Sequence, residues 1–142
     1  MINELILATI MVMATVTIHA FGLYALSRLL RIEELEEQEE QIHPLSGRGI
    51  VATLTVALGL FVLHGLEIWL YAFLYLAIGA VDGLRESVYF STITYGAIGY
   101  SDAAMAEQWR LVSAIEGING LILIGWSTAF FVTLIARMRR TS

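Results

Sequence analysis

The chain has 142 residues, of which 58% are hydrophobic; it has no cysteine and a formal net charge of −5, and its mean hydropathy is +0.75. That length holds one domain of modest size, and the hydropathy lies far above that of a soluble domain. The missing cysteines exclude disulfide, thiolate and zinc–thiolate chemistry. All eight basic residues are Arg and six of the thirteen acids crowd into Glu33–Glu40, so the negative balance is one local feature and there is no basic patch for a nucleic acid.

Leu5 to Ser27 contains no Asp, Glu, Lys or Arg. At about 1.5 Å per residue such a run crosses a hydrocarbon core of about 30 Å. The preceding MINE has no basic residue and the apolar run exceeds a signal-peptide core, which argues against a secretory leader. Residues 1–30 are therefore read as an N-terminal transmembrane helix. Residues 31–49 form an acidic linker: RIEELEEQEEQ is made of strong helix formers, so the first helix continues into water, and Pro44 and Gly47 then turn the chain. The Glu run reads as a solvated helical face, or else as an acidic collar that concentrates cations.

Residues 50–142 hold the remaining organisation. Ile50 to Val81 is apolar and charged only at Glu67. Ser87–Tyr95 is too short to span and suits a half-inserted helix. Ala97–Asp102 follows as a return segment, and Leu111–Ala136 is the third span, closed by Arg137-Met138-Arg139-Arg140. This topology places Arg28, Arg31, Arg48, Arg137, Arg139 and Arg140 on one side and Arg85 and Arg110 on the other. The positive-inside bias then puts the C-terminus in the cytoplasm and the N-terminus outside.

The polar, glycine-bearing segment YFSTITYGAIGYSD, residues 89–102, sits between two long apolar runs. Non-helical backbone at membrane depth is tolerated only where it is buried in protein or lines a watery path. The segment resembles the selectivity filter of potassium channels, usually T-[VI]-G-[YF]-G-D after a short pore helix. The order of outer helix, pore helix, filter and glycine-bearing inner helix extends the resemblance from about Ile50 to Arg140. HGLEIWLYA and WRLVSAIEGINGLILIGWSTAFF look like a bacterial subfamily with an extra N-terminal helix.

The resemblance implies an all-α membrane protein with three transmembrane helices, a re-entrant pore helix and a filter loop, closed as a four-fold homotetramer because one loop supplies a quarter of a carbonyl cage. It implies that carbonyls of Ala97, Ile98, Gly99, Tyr100 and Ser101 bind monovalent cations, K⁺ first and Na⁺ as the alternative. Tyr89, Thr94 and Asp102 would support the filter, and Gly120 and Gly125 would serve gating or packing. Two positions depart from the pattern. Ala97 stands where Thr offers a hydroxyl to the innermost ion site, and Ser101 replaces the second Gly, where a left-handed backbone would cost roughly 1–2 kcal/mol. Replacing Ala97 by Thr together with Ser101 by Gly is expected to restore selectivity.

Among buried ionisable candidates, His64 and Glu67 are spaced i, i+3 and share a helix face. They read as a structural hydrogen-bonded pair; as half of a metal site they are too few. Glu116, with Asn119 three residues on, either lines the pore or bonds His64 or Trp69 on the second span, the latter being favoured. His19, alone on its helix, reads as a buried hydrogen-bonded residue. Trp69, Trp109 and Trp126 read as packing or interfacial residues, and Gly117, Gly120, Ser127 and Thr128 as small residues that allow close helix contact.

There is no nucleophile–base–acid triplet or phosphate loop, so the reading is not an enzyme. No metal is expected beyond K⁺ or Na⁺, and no cofactor. The partners are the bilayer and the chain's own copies, in the bacterial inner membrane. A non-selective or Na⁺-permeable pore and a non-conducting scaffold or sensor on the same fold are the alternatives.

Overall fold

The computed structural model describes residues 1–36, 46–99, 101 and 103–140. All regular structure among them is helical: α1 (Ile2–Glu36), α2 (Gly47–Ala77), α3 (Leu84–Tyr95) and α4 (Arg110–Arg140), the last entered through a short 3₁₀ turn at Glu107–Trp109. Three segments are long and apolar enough to cross a membrane, at Ile2–Leu29, Gly47–Ala77 and Glu107–Ala136. With 12 residues, α3 is only about 18 Å long, too short to cross.

The helix ends are set locally. Ser46 caps α2, its Oγ accepting from the Gly49 amide at 3.1 Å. The helix stops at Ala77, four residues short of the apolar run, because Gly79 takes a left-handed φ of 63°. The Gly79 amide donates to the Leu76 carbonyl at 3.3 Å and that of Ala80 to Tyr75 at 2.8 Å, the double closure of a Schellman motif. The re-entrant helix begins at Leu84, three residues ahead of the sequence expectation, with Gly83 as its N-cap.

α1 packs on α2 and α4, while α3 packs on α2 and α4. Two apolar clusters stack along the bundle. One joins Ala8, Met11, Tyr71, Tyr75, Val81, Phe90, Met105 and Val112. The other joins Leu23, Val56, Leu60 and Leu63. In the second cluster α1 and α2 interlock: a Cβ on Gly22 would meet Leu63 Cδ1 at 2.5 Å, and one on Gly59 would meet Leu26 Cδ2 at 2.5 Å. Each glycine is the hole that a leucine of the facing helix fills. Between the clusters lies a belt of fully buried polar side chains, Thr15, His19, Glu67, Glu116 and Ser91 among them.

Candidate functional site: the re-entrant loop and its supports

The C-terminal end of α3 turns into the loop through a second Schellman closure. The Ala97 amide donates to the Thr94 carbonyl at 2.9 Å and the Ile98 amide to Ile93 at 2.8 Å; the Gly99 amide also reaches Ile93, at 3.1 Å. Three consecutive amides are thereby tied back to the helix end. Among the described residues, the carbonyls of Ala97, Ile98 and Gly99 accept no hydrogen bond. All three residues are exposed in the single chain, so these oxygens are open to water, a cation or both.

Positive φ alternates along the loop, 54° at Ala97 and 55° at Gly99. Gly99 adopts that region without penalty, as its glycine identity leads one to expect. Ala97 sits in the position where such motifs use glycine. Among the described non-glycine residues Ala97 has positive φ; the φ of Ser101, where left-handed strain is expected, depends on Tyr100, which lies outside the described residues. Ser101 closes an outer turn, its Oγ accepting from the Ala103 amide at 3.1 Å. The segment beyond is pinned by Met105, which is buried in the first apolar cluster, and by the Ala106 amide, which donates to the Ala80 carbonyl at 2.9 Å. Ile98 and Tyr89 are exposed in the single chain and Thr94 is half-buried. Tyr100 and Asp102 lie outside the described residues.

Two polar clusters hold α3 from behind. In the first, Glu116 of α4 accepts from Tyr75 Oη of α2 at 2.5 Å, and Ser91 Oγ of α3 lies 2.5 Å from its other oxygen. Ser91 is also 3.0 Å from the Ile68 carbonyl, so its single proton has two acceptors on two helices. Glu116 does turn toward α2, but its partners are Tyr75 and Ser91 and not His64 or Trp69, because the neighbouring α3 fills that depth.

The second cluster joins all four helices. Glu67 of α2 accepts from Tyr95 Oη at the end of α3, and its Oε1 lies 2.9 Å from His19 Nδ1 of α1. His64 Nδ1 lies 2.9 Å from Tyr95 Oη and 3.3 Å from Glu67 Oε2. His19 Nε2 is 3.2 Å from Ser127 Oγ of α4. A related bridge runs from Asn119 Nδ2 to Thr15 Oγ1, at 2.8 Å, and to Tyr71 Oη, at 3.3 Å.

The His64–Glu67 pair is thus bonded as expected, yet the sequence reading missed its main partners, His19 and Tyr95. One signal was available: Thr15 and His19 are polar residues four apart in a largely apolar span, hence on one face.

The inner-helix glycines separate in role. A Cβ on Gly120 would lie 2.2 Å from the Tyr95 carbonyl oxygen, and one on Gly117 3.3 Å from that of Thr94. α4 therefore runs its backbone directly against the end of α3. A Cβ on Gly125 would meet nothing within 4 Å.

No curated protein and no solved structure matches the chain. A family profile described as ion channel matches residues 60–137, just over half of the 142 residues. The match takes in most of α2, the whole re-entrant helix and loop, and nearly all of α4. With its three membrane-crossing helices, this is an integral membrane protein, and the chain belongs to the ion channel family.

Proposed function

We propose that the protein is a passive cation channel, conducting K⁺ by preference through carbonyl oxygens of Ala97–Ser101 at the axis of a homotetramer. The observation that carries this reading is the loop backbone: three amides are used up on the end of α3 while the carbonyls of the same residues are left open. An oxygen cage that replaces a hydration shell needs such carbonyls. One loop per chain supplies only part of a ring, and a four-fold assembly is the simplest closure. The exposed Ile118, Leu121 and Ile122 on α4 give an apolar surface for neighbouring copies or lipid. α3 also directs its C-terminal, partially negative end toward the loop, which favours a cation there. The arginine distribution supports a cytoplasmic C-terminus, with the loop on the outer side of a bacterial inner membrane.

A Na⁺-permeable or non-selective pore is the second reading, favoured by Ala97, whose side chain brings no oxygen to the innermost site. The purified protein in liposomes under opposed K⁺ and Na⁺ gradients separates these readings by reversal potential. A potential near the K⁺ equilibrium value supports the first, and one near zero supports the second. Absence of flux from a stable tetramer moves the reading to a non-conducting scaffold or sensor.

A further inference from the structure

Two residues of one helix are too few to hold a metal, but the fold adds a third from another helix. His19, His64 and Glu67 each offer a ligand atom, and these atoms lie within 4.8 Å of one another. We propose that this cluster is a binding site for a divalent transition metal of the Zn²⁺ class, formed by one ring nitrogen of each histidine and a carboxylate oxygen of Glu67.

The donor set fits that class. Two imidazoles and one carboxylate match zinc's preference for nitrogen with oxygen, and alkaline-earth ions favour all-oxygen sites. Zinc bonds of about 2.0–2.2 Å in a tetrahedron place ligand atoms roughly 3.3–3.5 Å apart. The contacts of His19 Nδ1 and His64 Nδ1 with the two Glu67 oxygens, at 2.9 and 3.3 Å, already have that scale. The two imidazole rings converge with centroids 5.3 Å apart, so closing the triangle takes small side-chain movements.

The surroundings supply what a metal site needs beyond its ligands. Ser127 Oγ, 3.2 Å from His19 Nε2, can accept the proton of that nitrogen and leave Nδ1 with a lone pair for the metal. Outer partners of this kind fix tautomer and ring direction. His19 and Glu67 are fully buried, and His64 keeps a side-chain exposure of 18% in the single chain. Tyr95 Oη lies beside the cluster, within hydrogen-bond reach of His64 and Glu67. It is both a competitor for Glu67 and a neighbour of any fourth ligand. Occupancy would join α1 to α2 beside the last residue of the re-entrant helix.

The test uses the full chain, purified in detergent, stripped by a chelator and titrated with Zn²⁺ alone. The expected result is saturable uptake of one Zn²⁺ per chain, with zinc-edge X-ray absorption showing two imidazole nitrogens in the shell. His19→Gln and His64→Gln should each weaken uptake by about tenfold or more, as loss of a site's supporting partners already costs 10–100-fold. His43→Gln, at the chain's third histidine, should leave it unchanged. Absence of saturable uptake by the native chain overturns the proposal. So does a shell without imidazole, or uptake indifferent to both substitutions. The absorption spectrum needs no variant, so it decides the matter even where a substitution prevents folding. No step reads conduction, so the result stands apart from the pore's selectivity.

Discussion

Ala97 carries a left-handed backbone that costs an L-residue roughly 1–2 kcal/mol, and it does so at the first turn of the loop. Glycine relieves that cost without adding atoms. Ala97→Gly is therefore expected to raise stability by about 1 kcal/mol per chain, read as an upward shift of the purified protein's thermal transition. An unchanged or lowered transition would show that the loop holds Ala97 in some other conformation. The same geometry alters the expectation for Ala97→Thr: a β-branched residue tolerates positive φ poorly, so restoring the family hydroxyl adds strain to the turn that must present it. At Glu67, the buried carboxylate accepts from Tyr95 and sits against two imidazoles. Glu67→Gln keeps polar atoms in place and should preserve assembly, whereas Glu67→Leu takes one partner from Tyr95, which keeps His64, and leaves His19 Nδ1 unpaired at a cost of about 1–3 kcal/mol. Gel filtration of the two variants checks this; equal assembly would mean that water replaces the carboxylate.

α3 is held at three heights by other helices. Ser91 meets Glu116 and the α2 backbone, Tyr95 meets Glu67, and the Tyr95 carbonyl rests on Gly120. A helix of 12 residues is too short to hold its own position, so these contacts decide where it sits. Gly120→Ala drives a methyl into backbone atoms that have no freedom to yield. The expected cost is at least the 1–3 kcal/mol typical of overpacking, with loss of flux or of assembly. Gly125→Ala meets no atom within one chain and should leave assembly intact; in flux it tests whether that position bends. Comparable damage from both substitutions would place an unseen neighbour against Gly125 and reduce the special standing of Gly120.

At the scale of the molecule, α1 is part of the pore's support and not a separate anchor. Its Thr15 and His19 enter the same polar belt as Asn119, Glu67 and Ser127, and its Gly22 and Leu26 interlock with α2. The Glu33–Glu40 run is a different matter. Its electrostatic reading rests on sequence alone, because residues 37–45 lie outside those described. If the run concentrates cations at a pore mouth, replacing its six glutamates by Gln lowers conductance in low salt and has little effect at high salt, where the Debye length falls to about 3 Å at 1 M. Equal conductance at low ionic strength would leave the run as a solvated helical face.

Length and hydropathy alone determined three spans, a re-entrant helix and the order of elements, because the bilayer demands long uninterrupted apolar runs and exposes any break in them. The GAIGY segment likewise marked the loop, since glycine identity signals unusual backbone. Local pattern did not reveal that α2 stops at Ala77, where the positive φ of Gly79 outweighed the continuing apolar run. Nor did it place a left-handed backbone at Ala97, because φ there follows from how the helix end closes and not from residue type. The partners of Glu67 and Glu116 were beyond reach for a further reason. His19 and Glu67 are 48 positions apart, and Ser91 and Glu116 are 25 apart. Which buried polar groups meet across helices depends on rotation and depth in the bundle, and only packing decides those.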